Sequence, residues 1–236
     1  MIIDTHVHEK RFSADSDISL EEIVEQAKRI GLDAVCITDH ESMGLRDFAA
    51  DYSKKEDFPI IVGAEILTFE GDITVFGLTE LPKEMIHAQT LLDLVMKSGG
   101  VAMCAHPFRQ NNRGLGDRAR TLKGLSGIEV LNGSTPIHHN LAGYKMALDC
   151  GVNTFGASDA HVLEKLGKFA TVFPGHVRDL KDFIEAVKMG GLIPAMHTEA
   201  GYKKLSLQGT ITLAKRDQEI INTAQYWNAP SEDAII

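Results

Sequence analysis

The chain is poor in cysteine, has no long apolar run and carries no excess of positive charge, and each shortage closes off a class of function. Its three cysteines, Cys36, Cys104 and Cys150, make neither a disulfide framework nor a Cys-x-x-Cys pair. No stretch approaches the roughly 20 apolar residues of a membrane-spanning helix. The opening Met-Ile-Ile-Asp-Thr-His-Val-His has no basic region and no cleavage site. A cytoplasmic location without a membrane partner is therefore expected. A formal charge of −9 argues against a general nucleic-acid surface, which is built from clustered Lys and Arg, so no stable nucleic-acid partner is expected. Neither Gly-x-x-x-x-Gly-Lys nor Gly-x-Ser-x-Gly occurs, which removes two common enzyme readings. Internal repeats, low-complexity tracts and Gly/Ser linkers are missing as well. Oligomeric state leaves no signal in the sequence.

What is present is an alternation of short β-branched or apolar runs with amphipathic stretches. Strands are expected at Ile2–Val7, Ala34–Thr38, Pro59–Val62, Ile73–Gly77, Val101–Ala105, Gly127–Leu131, Val152–Ala157 and Phe169–Phe173. Ser19 and Glu22 form a capping-box pattern for a helix from Leu20 to Ile30, and Gly31 stands where a C-terminal cap belongs. Further helices are expected at Ala88–Lys97, Asn140–Cys150 and Leu180–Met189. At 236 residues this order suits one α/β domain with a mainly parallel sheet closed into a TIM-barrel-like barrel. Residues 1–200 are assigned to that barrel, and 201–236 to a C-terminal appendage packed on it, with a helical candidate at Ile211–Tyr226.

The polar residues that carry chemistry sit at or just past the strand ends, where barrel folds place their sites. Asp4, His6 and His8 alternate with Ile3, Thr5 and Val7, so a period of two puts them on one face. Two imidazoles so spaced can reach one cation, with Asp4 read as a group that fixes a ring's tautomer. Thr38-Asp39-His40, Gly63-Ala64-Glu65, Ala105-His106-Pro107 and Ser158-Asp159-Ala160-His161 then bring a His, Asp or Glu to four more strand ends. Imidazole and carboxylate together suit Mn, Fe or Zn, whereas a structural zinc site would show thiolates.

In this order, these motifs resemble the PHP family, named for the polymerase and histidinol-phosphatase domains, over roughly residues 1–190. The resemblance implies a distorted (β/α)7 barrel holding two or three divalent metal ions for phosphoester hydrolysis. Carried over by position, it implies His6, His8, Glu65 and Asp159 at a first cation, with Glu65 bridging to a second that His106 joins. Asp15, with Asp17 as the near alternative, would hold a third cation together with His40 and His161. Glu65, Asp159 and His161 are the candidate catalytic residues. One departure stands out: many members carry a His on the strand after the bridging Glu, and here Asp72 is the nearest match, an oxygen ligand or an ordinary turn residue.

The loop Pro107–Gly114 leaves directly from His106, so Arg109 and Arg113 are expected to grip a substrate phosphate with their planar forks. Glu129 and Asn132 could also face the barrel mouth, with Asn132 as a further substrate contact. His87, His138, His139, His176 and His197 match no motif, and Cys104 reads as a small buried thiol. The expectation is a phosphoesterase that acts through a metal-activated water on a phosphomonoester or a short nucleotide-like phosphodiester. An amidohydrolase-like hydrolase and a catalytically idle metal-binding module are the rivals.

Overall fold

The computed structural model describes residues 1–227, so residues 228–236 of the expected appendage lie outside it. Strands β1 (Ile2–Val7), β2 (Ala34–Ile37), β3 (Ile60–Val62), β4 (Ala64–Leu67), β5 (Asp72–Phe76), β6 (Val101–Cys104) and β7 (Gly127–Asn132) come first. β8 (Asn153–Ala157), β9 (Phe169–Val172), β10 (Ile193–Thr198) and β11 (Gly201–Lys204) follow. The helices are α1 (Leu20–Ile30), α2 (Arg46–Glu56), α3 (Ala88–Lys97), α4 (Ile137–Cys150), α5 (Leu180–Met189) and α6 (Leu207–Trp227).

Helix α1 forms where the sequence places it. Ser19 Oγ accepts the Glu22 N–H while Glu22 accepts the Ser19 N–H, and Gly31 closes the helix at φ 82°. Leu20, Ile23, Val24 and Ala27 are its buried residues, a single stripe against Val7, Val35 and Ile37 of the sheet. Helix α2 escaped the sequence reading because its pattern is weak: only Ala49 is buried along it.

The sheet is mixed rather than mainly parallel, and its ladders do not close into one ring. Six strands run in the order β11-β10-β9-β1-β2-β3, and five in the order β4-β5-β6-β7-β8. β1–β2, β2–β3, β6–β7 and β7–β8 pair in parallel, whereas β9, β10, β11 and the β4-β5-β6 run pair antiparallel. For β4 and β5 the cause lies in the connection. A parallel pair needs a crossover of a dozen or so residues, and only the short turn 68–71 separates β4 from β5. β4, β10 and β11 were not anticipated at all.

One residue, Gly63, carries the chain from the first sheet to the second. A Cβ there would stand 2.5 Å from the Val75 carbonyl oxygen, so only glycine allows the close crossing that sets Glu65 at its station. At the opposite seam β8 and β9 are tied through a side chain. Thr171 Oγ1 accepts the Gly156 N–H at 2.9 Å and donates to the Gly156 carbonyl at 2.8 Å. Phe76, Phe155, Phe173 and Phe183 fill one buried cluster between the sheets together with Ile3. β11 lies on the edge of the six-stranded sheet, and α6 spans Leu207–Trp227 against the expected Ile211–Tyr226. No helix among the described residues is long and apolar enough to cross a membrane.

Candidate metal centre

The ends of β1, β4, β6 and β8, and the loops that follow β2 and β8, bring His6, His8, His40, Glu65, His106, Asp159 and His161 together. Two of these residues hold a left-handed backbone, His106 at φ 26° and Asp159 at φ 51°. Such angles are uncommon for non-glycine residues and cluster at functional sites.

Glu65 stands at the middle and faces two ways. Its Oε1 lies 2.9 Å from His106 Nε2 and 3.5 Å from His6 Nε2, and its Oε2 lies 3.0 Å from His40 Nδ1 and 3.6 Å from His8 Nε2. Asp159 Oδ1 sits 3.3 Å from His8 Nε2 and 3.6 Å from both His6 Nε2 and His161 Nδ1. Three sets of ligand atoms each fall within 4.8 Å of one another: His6–His8–Asp159, Glu65–Asp72–His106 and His8–His40–His161. Asp15 and Asp17 are both exposed, and it is Asp15 whose Oδ2 lies 3.3 Å from both His40 Nε2 and His161 Nε2.

The hydrogen bonds behind the rings fix their tautomers. His6 Nδ1 donates to Glu129 Oε1 at 2.6 Å, which leaves Nε2 facing inward. Ser13 Oγ donates to Asp39 Oδ1 at 2.9 Å, so it can only accept from His8 Nδ1, 3.1 Å away. His8 Nε2 is thereby turned inward too. The two Nε2 atoms face each other at 2.9 Å. Two lone pairs cannot share that distance without a positive charge between them. Burial disfavours protonated His6, but Glu129, Asp159 and Glu65 outweigh it and push its pKa well up, while burial and His6 hold His8 down at about 4. A single proton can bridge the pair, and a divalent cation would take its place with release of that proton. The residues fit such a cation on a further count: Asp72 Oδ1 and Asp159 Oδ1 are buried oxygens with no hydrogen-bond partner. Glu65 and Asp159 are both held well below the usual carboxylate range, because their imidazole neighbours outweigh the burial that opposes ionisation.

Several side chains stand differently from the sequence expectation. Asp4 does not fix a ring. It accepts the backbone N–H groups of His6, Ser158 and Gly167, tying β1 to the loop that carries Asp159. Glu129 takes the tautomer-setting role, and also accepts the His106 N–H at 3.0 Å and the Asn132 amide at 2.9 Å. Asn132, expected at the substrate, is wholly buried; its amide donates to Glu129 and Asp159, and its oxygen accepts from Arg109, Ser134 and Thr135. Both ends of the side chain are thus engaged by residues of the site. Arg109 pairs with Asp159 Oδ2 and bonds Thr135 Oγ1 at 3.2 Å, and Arg113 Nε reaches Asp72 Oδ2 at 2.6 Å. Both arginines thus touch carboxylates of the cluster as well as lining its cavity.

Asp72 is buried, and burial followed by the nearby charge of Glu65 raises its carboxyl to about 7. One oxygen takes Arg113, and the other has no hydrogen-bond partner. Asp72→Ala is therefore expected to raise the Mn²⁺ concentration for half-maximal activity about tenfold, as loss of one ligand or its support does, and Asp72→His to recover most of it. An unaltered Mn²⁺ titration in Asp72→Ala would reduce Asp72 to a counter-ion of Arg113.

A cavity of about 380 Å³ opens over the cluster, with Asp15, Arg109, Arg113, Ser134 and Lys165 among its walls. Ser134 and Lys165 were not singled out in the sequence, where an isolated Ser and an isolated Lys carry no signal. His87 pairs with Glu70 at 2.7 Å outside the site, and Cys104 is a buried thiol whose pKa burial pushes well up.

Comparison with known proteins agrees with this picture. A sequence profile of the PHP domain matches residues 4–225. Over 142 residues the chain is 31% identical to an uncharacterized protein of Methanocaldococcus jannaschii, covering 56% of this chain and 82% of that protein. Its fold superposes on a proposed metal-dependent phosphoesterase of Bifidobacterium adolescentis with a TM-score of 0.61 at 19% identity, over 80% of this chain and 96% of the other. It superposes likewise on a lesion-specific endonuclease of Pyrococcus furiosus with a TM-score of 0.58 at 16% identity, over 91% of this chain and 66% of the other. Profile, fold and strand-end ligands converge: the chain belongs to the PHP domain family.

Proposed function

We propose that the protein is a metal-dependent phosphoesterase that hydrolyses a phosphomonoester or a short nucleotide-like phosphodiester. The observation that carries this reading is the two-sided station of Glu65, whose oxygens each face a different pair of imidazoles beneath an open cavity. Such a carboxylate can serve two cations at once, with His6, His8 and Asp159 on one and Asp72 and His106 on the other. Asp15, His40 and His161 would hold a third. Divalent cations held by these residues would supply a nucleophile at neutral pH and neutralise charge on the phosphoryl oxygens.

The remaining work falls to the chain. Glu129 and Ser13 engage the Nδ1 atoms of His6 and His8 and so aim both Nε2 atoms inward. Arg109 and Arg113 line the cavity while paired with Asp159 and Asp72, and the edges of their planar forks that those carboxylates leave free match the oxygens of a phosphate. His161, whose Nδ1 lies 3.2 Å from the Asp159 main-chain oxygen, presents Nε2 towards Asp15. With Nδ1 turned to that carbonyl, Nε2 is the atom His161 would offer to the third cation beside Asp15 and His40.

The test is a hydrolysis screen with Mn²⁺-loaded protein. Phosphomonoesters, a bis-p-nitrophenyl phosphodiester and p-nitrophenyl acetate are compared with the chelated protein as blank. Metal-dependent release of phosphate or of nitrophenol from the diester is the expected result. Turnover of the carboxylic ester alone would move the protein to the amide and ester hydrolases. No turnover of any would leave an idle metal-binding module.

A further inference from the structure

Small-molecule pockets are lined mostly by apolar and aromatic side chains, with a few polar groups for orientation. The cavity over the cluster breaks that rule, because every side chain on its wall is charged or polar and none is aliphatic, Phe, Tyr or Trp. Whatever sits there offers no base or hydrocarbon for burial. The three basic side chains on the wall also differ. Arg109 is bound to Asp159 and Arg113 to Asp72. Lys165, among the described residues, has no carboxylate within ion-pair reach; its ammonium meets only Ser134 Oγ, at 3.4 Å.

Ser134 is a fixed post. Its N–H donates to Asn132 Oδ1 at 3.0 Å and its hydroxyl to the Asp159 main-chain oxygen at 3.0 Å. The turn behind it packs closely on the loop after β8, where a Cβ at Gly133 would stand 2.5 Å from the Ser158 carbonyl oxygen. With its proton committed, Ser134 Oγ can only accept from Lys165, and the ammonium keeps two more donors free. Lys165 therefore flanks the cluster on the Asp159 side, whereas Arg113 flanks it on the Asp72 side. In a chain of net charge −9, an uncompensated cation at the mouth of a polar cavity attracts negative charge.

Resting on the phosphoesterase reading, we infer that Lys165, held by Ser134, is a subsite for a second anionic group, and that the substrate is a compact, wholly polar phosphomonoester bearing a further phosphate or carboxylate. This favours the monoester over a nucleotide-like diester. It also makes Lys165 a specificity residue, since it touches the part of the substrate that does not react.

The test compares matched substrates with saturating Mn²⁺. Fructose 6-phosphate is set against fructose 1,6-bisphosphate, and glycerol 3-phosphate against 3-phosphoglycerate. The readout is the ratio of kcat/KM within each pair. The expected ratio favours the second-anion member at least tenfold in one pair, the first pair reporting phosphate and the second carboxylate. Lys165→Ala should collapse that ratio to near one, and Lys165→Arg should keep part of it. Equal ratios in wild type and Lys165→Ala, or no preference in wild type, would overturn the subsite. Calorimetric binding of methylenediphosphonate and methylphosphonate to the Mn²⁺-loaded protein decides independently of turnover. The bisphosphonate should bind at least tenfold tighter, and Lys165→Ala should erase the difference. If no phosphoester is hydrolysed but this binding difference appears, the phosphoesterase reading fails and the anion subsite stands. If esters are hydrolysed without it, the reverse holds.

Discussion

Glu65→Gln should lower kcat by at least about hundredfold, roughly 2.7 kcal/mol of barrier, with thermal unfolding close to that of the wild type. Glutamine keeps the size of the side chain but has one oxygen and one NH₂ where the carboxylate has two acceptors. His106 Nε2 and His40 Nδ1 lie on opposite oxygens at 2.9 and 3.0 Å, so an NH₂ must point at one of them. The loss of charge also leaves the imidazoles around it without their common counter-ion. A polar residue at the start of β4, facing the cluster, adds little to the apolar core, which is why the fold should hold. If the variant kept more than about a tenth of kcat, a loss below roughly 1.4 kcal/mol, Glu65 would not be the shared ligand.

Glu129→Gln carries the second largest effect, although Glu129 need not touch a cation. All three of its partners donate: His6 Nδ1–H, the His106 N–H and the Asn132 amide. A glutamine must turn its NH₂ against one of them. Facing His6, it would make Nδ1 the acceptor and move the proton to Nε2, which then cannot bind a cation. Facing the other side, it would set an N–H against the His106 N–H and strain a residue already at φ 26°. Either way metal affinity should fall about 10- to 100-fold, measured by competition with a chelator. NMR of the imidazole nitrogens should show His6 with its tautomer reversed or mixed. Unchanged affinity would mean that Glu129 is a passive buried carboxylate.

The sequence displayed the ligands better than it displayed their supports. His6, His8, Glu65, His106 and Asp159 sit at strand ends in short motifs, and a strand end is legible from the switch between apolar runs and turn residues. The supports work through pairings across the chain. Glu129 meets His6 over 123 positions, and Asp4 meets Ser158 over 154. No local periodicity encodes such partners, so the tautomer-setting role fell to Asp4 by proximity when Glu129 fills it. Arg109 and Arg113 were legible as site residues from their nearness to His106, yet their carboxylate partners depend on how β5, β7 and β8 assemble. Sheet topology went the same way. The turn between β4 and β5 decides their antiparallel pairing, whereas the alternation of strands with helices suggests a mainly parallel sheet.

The central claim is that the strand-end residues bind a cluster of divalent cations, and metal content tests it most directly. Protein purified without chelator should carry at least two equivalents of transition metal per chain by elemental analysis, and should regain them from Mn²⁺ or Zn²⁺ after chelation. Anomalous diffraction from reconstituted crystals should place the peaks among His6, His8, Glu65, His106 and Asp159. Less than one equivalent after reconstitution, or peaks elsewhere, would contradict the account.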